Sequence, residues 1–125
     1  MKILVVDDST LERKLLTALL RKLGIQSEIL QAENGEAALQ MLGANYRDIC
    51  LILLDWQMPV MSGLEFMEGV AKVPAVSNIP IVMVTASGSD ENRRQAKEVN
   101  PNLAGYVVKP YKAEILLETI KPYIK

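Results

Sequence analysis

Five residues with the capacity for chemistry stand directly after, or at the end of, short apolar segments of this sequence. Asp7 and Asp8 follow the first segment, and Asp55, Thr85 and Lys109 belong to later ones. One such residue alone is usually a turn residue, a helix cap or a solvated charge. Together they supply three carboxylates, a hydroxyl and an ammonium group, a set suited to binding a metal ion and a phosphate.

Carboxylates that are brought together need a cation. Two of them repel each other by about 4 kcal/mol at about 4 Å and an effective dielectric constant near 20. Hard oxygen ligands favour Mg²⁺, with Mn²⁺ as an alternative. Because Mg²⁺ commonly uses one or two carboxylates with water and a phosphate oxygen, one carboxylate stays available as a nucleophile. Lys109 and Thr85 can supply the positive charge and the hydrogen bond that phosphoryl transfer requires.

The absence of histidine narrows the chemistry. It excludes Ser-His-Asp and Cys-His nucleophile systems and a histidine-rich zinc site. It also excludes the phosphorylated domain of a histidine kinase. Any catalysis here must use carboxylates, lysine, hydroxyls and a metal.

The length of 125 residues predicts one domain over residues 1–125. The net charge of -1, from 14 basic and 15 acidic residues, favours neither nucleic acid nor a membrane as a partner. The single cysteine, Cys50, cannot form an internal disulfide, which fits a reducing compartment. The apolar segment before Asp7 is too short for a signal peptide or a membrane span, so we expect a cytoplasmic protein.

The elements that must position the five residues form an α/β pattern. Five apolar runs are typical of strands buried on both faces of a parallel sheet: residues 3–6, 27–31, 50–54, 79–84 and 104–108. Segments with helical periodicity alternate with them, which predicts a doubly wound sheet with five helices. Ligands bind such a sheet at the carboxyl ends of its strands, where the five residues stand.

Local signals mark the helix ends. Ser9 with Glu12, and Ser62 with Glu65, fit the capping box at two helix starts. Asn34 marks another start, Gly24 a stop, and Pro122 should end the last helix near Lys121. In the first helix, leucines recur every four residues as an apolar stripe: Leu11, Leu15, Leu19 and Leu23.

The ordered set of motifs resembles the response-regulator receiver family, and within it the single-domain chemotaxis regulators. The resemblance rests on four segments in order along the chain: residues 5–8 (VVDD), 54–63 (LDWQMPVMSG), 84–86 (VTA) and 109–110 (KP). It implies a flavodoxin-like fold, with the strands of the sheet in the order 2-1-3-4-5.

The resemblance implies a role for each acidic residue. Asp55 would accept a phosphoryl group from a phosphohistidine of a partner kinase or from a small phosphodonor. Asp8, Asp55 and the backbone carbonyl of Gln57 would ligate Mg²⁺, and Asp7 would act mainly through a bound water.

The remaining roles concern the switch. Lys109 would pair with the acceptor carboxylate and then with the phosphate, and the Lys109–Pro110 bond would be cis. Thr85 would bind the phosphate and shift toward it, and Tyr106 would follow by swinging inward. That movement would reshape the face formed by the last two helices and the last strand. Gln57 and Ser87 would tune hydrolysis of the phosphoryl group.

The function implied is that of a signalling domain. It would be phosphorylated by a histidine kinase and would then bind a protein such as the flagellar motor switch. We expect a monomer with self-dephosphorylation rather than an enzyme. The first alternative is a stand-alone or trimmed receiver of another two-component pathway, and a receiver used only for docking is disfavoured because no key residue is missing.

Two rival classes use related chemistry or the same fold. A phosphatase of the haloacid dehalogenase type needs a second aspartate two residues after its nucleophile, where this chain has Gln57. A flavin- or nucleotide-binding protein needs a glycine- and hydroxyl-rich phosphate loop after the first strand, where this chain has Asp7 and Asp8.

Overall fold

A parallel sheet of five strands organises residues 1–124, the part of the chain that the computed structural model describes. The strands are β1 (Lys2–Val6), β2 (Glu28–Ala32), β3 (Ile49–Leu54), β4 (Ile81–Thr85) and β5 (Gly105–Val108). Their order in the sheet is β2-β1-β3-β4-β5, and every neighbouring pair is parallel. The α/β class, the strand count and the strand order predicted from the sequence are confirmed.

The apolar runs are explained by two cores, one on each face of the sheet. Successive side chains of a strand point to opposite faces, so Leu4 and Val6 enter one core while Ile3 and Val5 enter the other. All four are at most 1% exposed. The edge strand β2 is covered less completely, which accounts for its weaker apolar signal.

Five helices cover the two faces. On one face lie α1 (Thr10–Lys22) and α5 (Ala113–Ile120), and on the other lie α2 (Gly35–Asn45), α3 (Gly63–Ala71) and α4 (Asp90–Val99). Within residues 1–124, no helix has both the length and the apolar character to cross a membrane. The predicted stops are confirmed: Gly24 follows α1 with a φ of 88°, and Pro122 lies in a 3₁₀ turn (Lys121–Tyr123) that ends α5.

The two predicted capping boxes differ in the structure. At α3 the box is complete, because Glu65 N–H donates to the Ser62 hydroxyl and Ser62 N–H donates to the Glu65 carboxylate, over 3.2 and 3.1 Å. At α1 the Ser9 hydroxyl accepts from Glu12 N–H at 3.1 Å, but Ser9 N–H donates to Asp7 Oδ1 at 2.9 Å. The second half of the α1 box is therefore wrong, since Asp7 takes the N–H group that Glu12 was expected to bind.

The leucine stripe coincides only in part with the buried face of α1, since Leu19 and Leu23 are partly buried against the core but its first two leucines are exposed. Leu11 and Leu15 are 65% and 57% exposed, whereas Leu16 and Leu20 are 7% and 0% exposed and contact the sheet. Both sets have the four-residue spacing of a helical face, so periodicity alone could not choose between them. The placement of the sheet decides which set is buried.

This difference predicts opposite outcomes for two leucines of the same helix. Leu20→Ala should lower the free energy of unfolding by about 2–5 kcal/mol, because it opens a cavity in a filled core. Leu15→Ala should change it by about 0.5 kcal/mol or less, since the side chain is mostly in water. Urea denaturation measures both, and a similar loss in the two variants would contradict the assignment of the buried face.

Candidate functional site

The carboxyl edge of the sheet brings the five sequence-predicted residues together. Asp7 and Asp8 follow β1, Asp55 follows β3, Thr85 ends β4 and Lys109 follows β5. Backbone hydrogen bonds continue the strand ladders through three of these positions: Asp7 N–H to Ala32 at 3.1 Å, Asp55 N–H to Val6 at 2.9 Å and Lys109 N–H to Thr85 at 2.9 Å. The backbone at these three positions is therefore held in place by the sheet.

The three aspartates form one carboxylate cluster. Each offers an oxygen, and these oxygens lie within 4.8 Å of one another. Asp7 is buried, Asp55 is half-buried and Asp8 is exposed, so the cluster opens to solvent on the Asp8 side. Hard carboxylate oxygens at this spacing fit the ligand chemistry of Mg²⁺. The side chain of Gln57, whose backbone carbonyl was expected to contribute, is exposed in the loop beyond Asp55.

The charged form of Asp55 is disfavoured by its surroundings. Burial is the main cause that raises the pKa of this carboxyl, and the nearby Asp7 raises it further. The Thr85 hydroxyl, the Lys109 ammonium and the Trp56 N–H act in the opposite direction without cancelling the effect. The backbone N–H of Trp56 donates to Asp55 Oδ1 at 2.8 Å. A cation at the cluster would stabilise the charged form of Asp55, which burial and Asp7 disfavour.

Lys109 pairs with Asp7 in this structure, not with Asp55 as the family resemblance led us to expect. Its ammonium donates to Asp7 Oδ2 at 2.9 Å and lies 3.6 Å from Glu12 Oε2. The physical reason is the deeper burial of Asp7, whose side chain is 9% exposed, because attraction between charges is stronger where water is excluded. Burial lowers the pKa of Lys109, but the acidic neighbours, led by the hydrogen bond to Asp7, raise it overall.

A chain of contacts leads from Thr85 to the outer surface through the peptide groups of Ser87. The Thr85 hydroxyl, which is buried, accepts from Ser87 N–H at 3.2 Å, and the Tyr106 hydroxyl donates to the Ser87 carbonyl. The guanidinium carbon of Arg93 lies 5.0 Å from the centroid of the Tyr106 ring, a cation–π distance. From the sequence, Ser87 was connected only with hydrolysis, and Arg93 was not singled out.

The loop after Asp55 turns back against the site. Gly63 N–H donates to the Trp56 carbonyl at 2.8 Å, and a Cβ at Gly63 would collide with the Asp55 carbonyl oxygen. Glycine is therefore required where α3 begins. Val60 in this loop has a φ of 69°, a left-handed conformation that is costly for a β-branched residue. The Lys109–Pro110 bond is cis, as the family resemblance implied.

Two further residues contact the site that sequence reasoning did not assign to it. Glu12 was interpreted only as a helix cap, and its carboxylate reaches Lys109 instead. Arg13 donates to the Asp7 backbone carbonyl at 2.5 Å and to the Gln31 side chain at 3.2 Å. Both residues lie in the first turn of α1, shortly after Asp7 and Asp8, and that proximity was the available signal.

Comparison with known proteins agrees with this geometry. The model of the response regulator receiver domain matches residues 3–121. The chain is 36% identical to the chemotaxis protein CheY of Pseudomonas aeruginosa and to CheY1 of Helicobacter pylori, in each case covering 97% of this chain and 94% of the relative. The solved structure of chemotaxis protein CheY4 of Vibrio cholerae is similar, with a TM-score of 0.85, 32% identity and 98% of each chain covered. This chain belongs to the response regulator receiver domain family of two-component signalling systems.

Proposed function

We propose that this protein is a phosphorylation-driven switch in which Asp55 accepts a phosphoryl group from a partner histidine kinase. The observation that carries the proposal is the convergence of Asp7, Asp8, Thr85 and Lys109 on Asp55 at one edge of the sheet. We further propose that residues 1–125 form a single receiver domain. As a member of a signalling family, the chain is a phosphoacceptor rather than a conventional enzyme.

The transfer needs a nucleophile and positive charge around the phosphoryl oxygens. An Asp55 carboxylate oxygen attacks phosphorus, the bond from phosphorus to the donor histidine breaks, and an acyl phosphate forms. Lys109 contacts the phosphoryl oxygens once it leaves Asp7, and the Thr85 hydroxyl donates to another. In self-dephosphorylation, water attacks phosphorus, the bond from phosphorus to the Asp55 oxygen breaks, and inorganic phosphate and the free carboxylate are formed. Gln57 and Ser87 would govern the approach of that water.

The carboxylate cluster would hold Mg²⁺, with Mn²⁺ as a substitute. When bound, the ion neutralises charge on the carboxylates and on the transferred group. Asp8, Asp55 and the Gln57 backbone carbonyl would ligate it, and Asp7 would contribute through water. The mutual distance of the three carboxylates supports this assignment, as does the raised pKa of Asp55.

Incubation with Mg²⁺ and acetyl phosphate should attach one hydroxylamine-labile phosphoryl group per chain, and Asp55→Asn should abolish it, because the amide is not a nucleophile. Mass spectrometry measures the label. Asp48→Asn is a matched control, since Asp48 is an exposed aspartate at the opposite end of the same strand. Undiminished labelling of the Asp55 variant would sink the proposal.

Mg²⁺ at ten times its dissociation constant should raise the free energy of unfolding of the wild type by about 1.4 kcal/mol, and Asp8→Ala should lose most of this gain. Denaturation with and without the metal measures it. Mg²⁺ should also quench the fluorescence of Trp56, which directly follows Asp55 in the chain and whose backbone N–H donates to the Asp55 carboxylate. Asp48→Asn should respond like the wild type, and an equal response of the Asp8 variant would contradict the metal site.

The output surface is proposed to be the face of α4, β5 and α5. The contacts from Thr85 through Ser87 to Tyr106 and Arg93 connect it with Asp55. A hydroxyl drawn toward a phosphoryl group on Asp55 would weaken its bond with Ser87 and free Tyr106 to reposition. The similarity to chemotaxis proteins supports a cytoplasmic monomer that receives its signal from a chemotaxis histidine kinase and binds the flagellar motor switch. A receiver of another two-component pathway is the alternative.

Beryllofluoride, which mimics a phosphoryl group on aspartate, should tighten binding to the purified flagellar motor switch protein of the same organism by about tenfold or more, a typical allosteric coupling. Isothermal titration calorimetry measures it. Tyr106→Phe should reduce the gain, because it removes the hydroxyl that contacts Ser87. Asp55→Asn is the control without a response. Affinity independent of beryllofluoride would exclude this partner as the output.

A further inference from the structure

We propose that Glu12 is a fourth carboxylate of the Asp55 site and acts there as a positioning residue for Lys109. The inference rests on the proposed function, because the group that Lys109 is held away from is the phosphoryl acceptor. Before Asp55 is phosphorylated, Glu12 and Asp7 both attract the Lys109 ammonium. A phosphoryl group on Asp55 must compete with them for it.

The two serine–glutamate pairs at the helix starts of this chain form different contacts. Ser9 with Glu12 and Ser62 with Glu65 have the same spacing, and only Glu65 returns its carboxylate to the serine N–H. At α1 the Asp7 carboxylate accepts from Ser9 N–H at 2.9 Å. The Glu12 carboxylate is thus released from its ordinary role at a helix start and lies 3.6 Å from Lys109 Nζ.

Glu12 also shares its surroundings with the charged groups of the site. Glu12, Asp7, Asp55 and Lys109 line one small cavity at the carboxyl edge of the sheet. Glu12 is the more distant of the two carboxylate partners of Lys109, at 3.6 Å against 2.9 Å for Asp7. Its side chain is 45% exposed, against 9% for Asp7. Glu12 is therefore the weaker and more solvated of the two partners, and its effect should be sensitive to salt.

Two consequences with opposite sign follow from one added negative charge. Glu12 opposes the approach of an anionic phosphodonor and retains Lys109, so it slows phosphorylation of Asp55. The same charge attracts a divalent cation, so it strengthens Mg²⁺ binding at the neighbouring aspartates. Loss of a helix cap would not separate the two effects in this way.

The test compares Glu12→Gln with Glu65→Gln. The amide keeps the size of the side chain, and glutamine is also accepted at this capping position. Glu12→Gln should raise the rate of phosphorylation by acetyl phosphate about threefold to tenfold at saturating Mg²⁺, and should weaken Mg²⁺ binding about twofold to threefold. Trp56 fluorescence measures both the phosphorylation rate and Mg²⁺ binding. Glu65→Gln should leave both unchanged, and Glu12→Asp should stay near the wild type.

Salt and the acceptor variant complete the design. In about 0.5 M NaCl both effects of Glu12→Gln should shrink, because exposed charges are screened. Mg²⁺ binding that equals the wild type, or a phosphorylation rate that is unchanged or lower, would overturn the role of Glu12. Asp55→Asn in the same assay shows separately whether the fluorescence change reports phosphorylation of Asp55. If it does not, the proposed function fails, and the Mg²⁺ measurement still decides the role of Glu12.

Discussion

The repulsion among three carboxylates at one edge of the sheet is the constraint on which the rest of the site depends. The aspartate oxygens lie within 4.8 Å of one another, and the backbone of Asp7 and Asp55 is fixed by hydrogen bonds that continue the strand ladders. The chain cannot relieve the repulsion by moving apart, so it must bind positive charge. Lys109 supplies one such charge. The proposed Mg²⁺ would supply a second positive charge, and the proposed phosphoryl group on Asp55 would then draw Lys109 toward itself.

A change in the position of Thr85 would reach the surface through the contacts around Ser87. Thr85 is buried, and its hydroxyl accepts from Ser87 N–H. The next polar groups along the chain of contacts are the Ser87 carbonyl and the Tyr106 hydroxyl. Because one short backbone segment is shared by both contacts, a change in the position of Thr85 alters what Tyr106 can bind. In the proposed switch, Arg93, whose guanidinium lies over the Tyr106 ring, would carry that change to the exposed side of α4.

Sequence reasoning predicted the sheet and the convergence of the five residues because both follow from local signals. Buried strands are apolar runs, and the residues directly after them meet at one edge. It did not predict the buried face of α1, since Leu15 and Leu16 belong to equally regular stripes. It also missed the partner of Lys109 and the fate of Glu12. Those outcomes depend on competition among carboxylates for one backbone N–H group and one ammonium group. The competing carboxylates follow β1 and β3 or lie in α1.

Asp7 illustrates why that competition matters for metal binding. Its Oδ1 accepts from Ser9 N–H, its Oδ2 from Lys109, and its backbone carbonyl from Arg13. A carboxylate with both oxygens engaged has less capacity to ligate a cation directly than the exposed carboxylate of Asp8. This difference supports direct ligation by Asp8 and Asp55, with Asp7 acting through water. Asp7, which organises the β1–α1 junction, thus fixes the geometry of the site, and in the proposed metal site Asp8 and Asp55 would bind the ion directly.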